Sequence, residues 1–243
     1  MNIGIIGSGG REHAICSFIK NSKKVEKIYC IPGNAGTDEI ATNVDIEIKD
    51  HNKIKNLVID KKIDLLIVGP EQPLVDGIVD FFENLNIRIF GPNKSAAQLE
   101  GSKIFTKKIC QQYNIPTANF GIFQNENDAR KFLEKSNYPI VIKADGLAAG
   151  KGVYICEKKE DALDAVKEIL DGKFGKATNL LIEEFLTGEE MSYFLISDGK
   201  SIKAFDTAQD HKRVLEGDKG KNTGGMGAYS PSNLINNELE EKI

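Results

Sequence analysis

Apolar positions in the first half of the chain cluster in short β-branched runs. Asn2 to Ile6, Val25 to Ile31, Ile63 to Val68 and Ile87 to Phe90 read as strands. Between them, Lys53 to Lys61 and Leu74 to Leu85 carry helical patterns, and the glycine turn after the first strand opens into a candidate helix from Arg11 to about Lys20. The strand runs are nearly continuous in apolar character, as expected where helices cover both faces of a sheet. Alternating β and α elements predict a doubly wound parallel sheet, whose ligands lie beyond the strand C-termini.

The second half has a different rhythm. Ala96 to Tyr113 is helical but interrupted at Gly101-Ser102, which places a boundary near Glu100 and divides the chain into residues 1–102 and 103–243. Ile115 to Ala118 reads as an extended connection, and Asn125 or Asn127 can cap a helix running to about Lys135. Ile140, Val141 and Ile142 then lead into a glycine loop, and Val153 to Cys156 resumes a strand. Ala162, Ala165, Val166, Ile169 and Leu170 form one face of a helix, and Asn179 to Phe185 is a further apolar strand. Helix, hairpin, helix and strand make a small α+β layer of about 121–188 with the organisation of a lid. Two apolar strands follow, Met191 to Ser197 and Ser201 to Phe205, ahead of a polar, glycine-rich stretch.

Composition narrows the partners. With 243 residues, 28% charged and 40% hydrophobic, the chain can bury a substantial core. A net charge of −4 argues against nucleic acid as a partner. The amino terminus lacks a basic and apolar leader and nothing later approaches a membrane-spanning run, so no membrane partner and a cytoplasmic location are expected. A monomeric chain is expected. Cys16, Cys30, Cys110 and Cys156 are scattered, with no C-x-x-C pair, and read as free thiols used as small core residues.

Candidate chemistry centres on the loop from Gly146 through Gly150 to Gly152, bracketed by Lys143 and Lys151. A loop with so few side chains lets amides approach a polyphosphate. It is not a Walker loop: Gly146 and Gly150 are separated by three residues rather than four, Gly152 stands where a hydroxyl is needed, and a strand follows instead of a helix. A glycine-rich hairpin without a ligand is the alternative. A second anion site is expected where Gly7-Ser8-Gly9-Gly10 turns into a helix and Arg11 adds a guanidinium. The dinucleotide fingerprint is broken there by Glu12 in place of the third glycine, which disfavours a nicotinamide cofactor. Gly9, Gly10, Arg11, Asn34 and Glu71 all belong to loops on one rim of the predicted sheet, suited to a sugar phosphate, with Glu71 in a non-helical loop between two prolines. Asn34 and Glu71 could equally serve only their turns. Glu183-Glu184-Phe185-Leu186 offers backbone groups to a flat heterocycle, and Glu190 can reach a ribose. Asp210, Lys212 and Arg213 alternate in sign, a grouping useful for holding a zwitterion and a transferring phosphoryl group, with His211 as a hydrogen-bonding support.

Taken together, these segments resemble the ATP-grasp superfamily and, within it, the phosphoribosylamine–glycine ligases, also called glycinamide ribonucleotide synthetases. The resemblance rests on G-S-G-G-R-E-H-A from Gly7, P-G-N-A-G-T from Pro32, I-D-L-L-I-V-G-P-E-Q-P-L-V-D-G from Ile63 and A-A-Q-L-E-G-S-K from Ala96. It continues through V-I-K-A-D-G-L-A-A-G-K-G-V from Val141, I-E-E-F-L-T-G-E-E from Ile182, Q-D-H-K-R and N-T-G-G-M-G-A-Y-S-P, in the family's order. It implies an ATP-grasp fold for the second domain and ATP-dependent joining of glycine to 5-phosphoribosylamine through a glycyl phosphate, in purine biosynthesis. It also implies that Lys103, Lys143, the glycine loop, Glu183 to Leu186 and Glu190 face ATP. Gly10, Arg11 and Glu71 would face phosphoribosylamine, and Asp210, Lys212 and Arg213 glycine and the acyl phosphate.

The family's magnesium- or manganese-binding segment is not found before Ile243, so its ligands are expected beyond residue 243, and the chain alone is expected to lack turnover. Alternatives are a sibling carboxylate–amine ligase, a non-catalytic nucleotide-binding module, and a nicotinamide oxidoreductase.

Overall fold

The computed structural model of the chain describes all residues except 148–151, 176–178, 218 and 224. Two compact units form, Met1–Phe185 and Leu186–Ile243.

The first unit opens with β1 (Asn2–Gly7), α1 (Gly10–Ile19), β2 (Lys27–Pro32), the single-turn α2 (Ala35–Asp38), β3 (Thr42–Asn43), α3 (His51–Asp60) and β4 (Leu65–Val68). Two short helices, α4 (Glu71–Asp76) and α5 (Ile78–Glu83), precede β5 (Ile89–Phe90). The strands form a parallel sheet in the order β3-β2-β1-β4-β5, with Ile6 in register with Ile31 and Val68. Successive side chains of a strand face opposite ways, so β1 feeds two cores. Ile3 and Ile5 pack with Cys16 of α1, whereas Ile6 joins Ile54, Val58, Ile78 and Phe82 of α3 and α5. The doubly wound expectation is met.

Differences lie at the turns. The expected helix from Leu74 to Leu85 is two helices, broken at Gly77, whose φ of 97° is left-handed. Glu71, expected in a loop, opens α4; Pro73 is tolerated there because N–H groups of a first helical turn have no partner within the helix.

The helical stretch interrupted at Gly101-Ser102 is α6 (Lys94–Gly101) and α7 (Lys103–Tyr113), with Ser102 capping α7 by accepting the Phe105 N–H. Then come β6 (Phe120–Phe123), α8 (Glu126–Leu133), β7 (Ile140–Ala144), β8 (Val153–Cys156), α9 (Lys159–Leu170) and β9 (Leu180–Glu184). They form an antiparallel sheet, β6-β9-β7-β8. Strand β6 was not expected; F-G-I-F is too short to declare a period, but Phe and Ile suit a strand once β9 is there to pair with. One face, with Ile140, Ile142, Ala144, Leu180 and Ile182, is buried against α8 and α9. The other carries Val141, Lys143, Leu181 and Glu183, and the exposed Val153 and Ile155 of β8 lie across from Lys143 and Val141.

Among its described residues, the second unit contains three two-stranded pieces: β10 (Leu195–Ser197) with β11 (Ile202–Ala204), β12 (Gln209–Asp210) with β15 (Ala228–Tyr229), and β13 (Arg213–Leu215) with β14 (Lys219–Asn222). A short α10 (Asn237–Glu240) follows. Both strands of the first hairpin are solvent-exposed along their length, unlike the core strands of the first unit. No helix among the described residues is long and apolar enough to cross a membrane.

Candidate functional site

The strand order 3-2-1-4-5 reverses direction between β1 and β4, and ligands of open parallel sheets sit beyond such a switch point. There an open cleft of about 900 Å³ is lined by Gly7 to Glu12 after β1, by Pro70 to Pro73 after β4, and by Glu47 to Lys49. Arg11 projects across it. One guanidinium nitrogen donates to the Gly69 carbonyl at 2.6 Å, and the group lies 3.3 Å from Glu71 Oε1. Both side chains are about half exposed, so this ion pair contributes well under ~1 kcal/mol and yields readily to a stronger anion.

Asn34 is held by the same rim. Its Oδ1 accepts the Thr37 N–H and caps α2, while its Nδ2 donates to the carbonyls of Ser8 (2.9 Å) and Gly9 (3.2 Å). Its amide therefore ties the two loops together. The structure brings Gly9, Gly10, Arg11 and Glu71 to one cleft with Asn34 bracing the wall.

Sequence reading missed the role of Glu12. Although charged, it is only 4% exposed, and its Oε2 accepts the Gly9 N–H at 2.6 Å. A Cβ at Gly7, Gly9 or Gly69 would stand 2.6, 3.0 or 1.8 Å from the Glu12 side chain. These glycines make room for a buried carboxylate as much as for a phosphate, and the Gly9 amide is already engaged by it.

On the face of the antiparallel sheet away from α8 and α9, Lys143 Nζ lies 2.8 Å from Glu183 Oε1, and Lys107 Nζ lies 3.0 Å from Glu183 Oε2. Lys107, on the buried side of α7 beside Ile104, also donates to Thr117 Oγ1 (2.7 Å) and the Ala118 carbonyl (3.1 Å). The i, i+3 spacing of Ile104 and Lys107 was the available signal that this lysine points inward.

Lys103 donates to the Gly146 carbonyl at 2.8 Å, where the glycine loop leaves β7 with a φ of 93°. Asp145, also missed, accepts from Ser102 Oγ through both oxygens (3.1 Å each) and from the Ile104 N–H (3.2 Å). Its carboxylate thereby occupies the α7 N-terminus and ties loop to helix. Gly152 closes the hairpin by accepting the Ala144 N–H at 2.8 Å. Gly150 and Lys151 lie outside the described residues.

Glu184 is committed to the protein: it accepts the Asn119 N–H (2.9 Å) and Nδ2–H (3.0 Å), and the first of these bonds, then the second, holds its carboxyl below the usual value. Phe185 ends the first unit and Leu186 begins the second.

In the second unit, Lys212 Nζ sits 3.2 Å from Asp210 Oδ1 and 3.5 Å from Glu190 Oε2. Partial burial pulls its pKa down, but the bond to Asp210 and the charge of Glu190 outweigh that and leave it raised. Arg213 is turned away, donating to the Gly220 carbonyl at 3.0 Å. The His211 ring tilts against Tyr229, and the His211 backbone N–H donates to the Gly227 carbonyl, a supporting place. Asp210, Lys212 and Glu190 thus form one cluster of alternating charge.

Residues 1–100 match the phosphoribosylglycinamide synthetase N domain, and residues 101–243 match the phosphoribosylglycinamide synthetase ATP-grasp (A) domain. The chain is 50% identical to the phosphoribosylamine–glycine ligase of Mesorhizobium japonicum over all 243 residues, spanning 57% of that relative. It is 49% identical to that of Brucella melitensis over 98% of the chain and 56% of the relative. A crystal structure of phosphoribosylamine–glycine ligase from Thermotoga maritima superposes with a TM-score of 0.81 at 34% identity, covering 100% of this chain and 59% of that one. The chain, which spans a little over half the length of these relatives, belongs to the phosphoribosylglycinamide synthetase family.

Proposed function

We propose that this chain supplies the sugar-phosphate site and much of the ATP site of a ligase that joins glycine to 5-phosphoribosylamine, giving glycinamide ribonucleotide, ADP and phosphate in purine biosynthesis. The observation that carries this is family membership along the whole chain, through both an N domain and an ATP-grasp domain. Residues 1–102 would form the sugar-phosphate domain and 103–243 the ATP-grasp domain, with about 121–188 as the lid. The reaction is placed in the cytoplasm, on a monomeric chain.

In the cleft, Arg11 grips the 5-phosphate after leaving Glu71, and Glu71 then accepts from ribose hydroxyls. Asn34 keeps the two loops in place. On the antiparallel sheet, exposed Val153 and Ile155 offer an apolar plate to the adenine, Glu183 to Leu186 line its edge, and Glu190 takes the ribose. Lys103, Lys143 and the loop around Gly146 neutralise phosphate charge. Asp210 holds the ammonium of glycine, while Lys212, joined by Arg213 once that side chain leaves the Gly220 carbonyl, holds its carboxylate as an oxygen attacks the γ-phosphorus and ADP leaves. The sugar amine then attacks the acyl carbon and inorganic phosphate departs. Positioning and charge neutralisation supply the catalysis, with no side-chain nucleophile. Magnesium or manganese would accompany the nucleotide phosphates; among the described residues no group of three candidate ligands is assembled to hold one.

The test is ADP formation by the intact gene product with glycine and phosphoribosylamine present or omitted. Formation that needs both supports the assignment. ADP formation that needs a different carboxylate moves the protein to a sibling ligase.

A further inference from the structure

Lys107, Glu183 and Lys143 place two ammonium groups on one carboxylate, yet the two lysines differ in kind. Lys107 is 9% exposed in its side chain, and with Thr117 Oγ1, the Ala118 carbonyl and Glu183 around it, all three of its N–H donors have an acceptor within reach. It also lies over the Phe120 ring, 5.3 Å from the centroid. Lys143 is 29% exposed, with Glu183 as its ion-pair partner among the described residues.

We propose that Lys107 is a positioning residue that lets Lys143 transfer from Glu183 to a phosphate group. This rests on the nucleotide reading above. If Glu183 had Lys143 alone, moving that lysine to a phosphate would strand a carboxylate that is 5% exposed, and a buried charge stripped of its partner is heavily penalised. With Lys107 fixed on its other oxygen, Glu183 stays paired whichever way Lys143 points. Repulsion between the two ammonium groups across Glu183 also loosens the hold on Lys143. The arrangement works as an exchange: the inner lysine stays and the outer one is released.

Lysine acylation by acetic anhydride, read residue by residue by mass spectrometry, tests this in the empty chain and with ATP. Lys107→Gln keeps donors for Thr117 and Ala118 while removing the charge, and Lys107→Arg restores it. We expect Lys143 in the empty K107Q protein to be acylated at least about threefold more slowly than in wild type, because Glu183 now holds it alone. In the same variant, protection of Lys143 by ATP should need roughly tenfold more nucleotide, equivalent to about 1.4 kcal/mol. K107R should behave as wild type. Equal Lys143 acylation in empty wild type and folded K107Q would overturn the exchange. Should K107Q fail to fold by circular dichroism, Lys107→Met is read in the same way, and wild-type acylation of K107R remains a requirement. Failure of ATP to protect Lys143 in wild type would instead overturn the nucleotide reading, while the empty-protein comparison still tests the pin.

Discussion

A Cβ on residue 69 would stand 1.8 Å from Oε1 of Glu12, so position 69 is glycine because position 12 is a buried glutamate. Glu12 is one turn into α1 and Gly69 follows β4, so this contact locks the two loops that frame the cleft. Gly69→Ala should expel the carboxylate from its bond with the Gly9 N–H and destabilise the first unit by about 2–3 kcal/mol, in the range of overpacking plus a lost buried hydrogen bond. The two positions should couple. Glu12→Ala should cost much less in the G69A background than in wild type, measured by urea unfolding as a double-mutant cycle. Additive effects would show that the contact does not constrain the loops.

Arg11 should decide sugar-phosphate affinity. Its pair with Glu71 is half exposed and weak, so the cost of turning towards a phosphate is small beside the ~1.5–3 kcal/mol of a charged hydrogen bond. Titrating ribose 5-phosphate into Arg11→Ala should show affinity lower by about tenfold to a hundredfold. Arg11→Lys should recover only part, since lysine lacks the fork that binds two phosphate oxygens. Full affinity in R11A would place the sugar phosphate elsewhere.

The outline of both sheets was legible because β1, β2, β4, β7 and β9 are apolar runs and helices such as α3 and α9 keep a clean period. Short or broken elements were not. Gly77 splits a helix whose apolar spacing runs straight through it, and β6 has four residues whose strand character depends on pairing with β9. Among site residues, a cleft holding Arg11 and Glu71 followed from loops at strand C-termini. Glu12, Lys107 and Asp145 escaped because each is a charged side chain whose role depends on a partner at least one loop away: Gly69, Glu183 and the α7 N-terminus. Charge in a linear sequence reads as surface, and only the fold shows which charges are buried and paired.

Glu184 gives a pH-dependent contribution with a definite sign. Its bonds from the Asn119 N–H and then from Nδ2 lower its folded pKa beneath the ordinary 4.5. A lowered carboxylate pKa means the stabilisation is fully present above about pH 4.5 and is lost as pH falls through the folded value. Comparing thermal midpoints of wild type and Glu184→Ala should therefore show a gap at pH 7 that closes as the pH is taken below 4.5 towards 3. A gap that persists unchanged at pH 3 would mean that ionisation of Glu184 is not what Asn119 rewards.

The four cysteines should separate by reactivity, since thiolate and not thiol attacks a disulfide reagent. Burial pushes Cys30 up to about 12 and Cys156 up to about 11, and it raises Cys16 as well. Cys110 alone of the four is half-buried, on α7. With a chromogenic aromatic disulfide at pH 8, one thiol per folded chain should react quickly, and peptide mapping should locate it at Cys110. The remaining three should react only as the protein unfolds, at a rate that follows unfolding rather than reagent concentration. In denaturant all four should titrate, as expected of free thiols. Rapid reaction of Cys16 or Cys30 in the folded state would show that the core between α1 and the parallel sheet opens far more readily than its packing of Ile3, Ile5 and Ile28 allows.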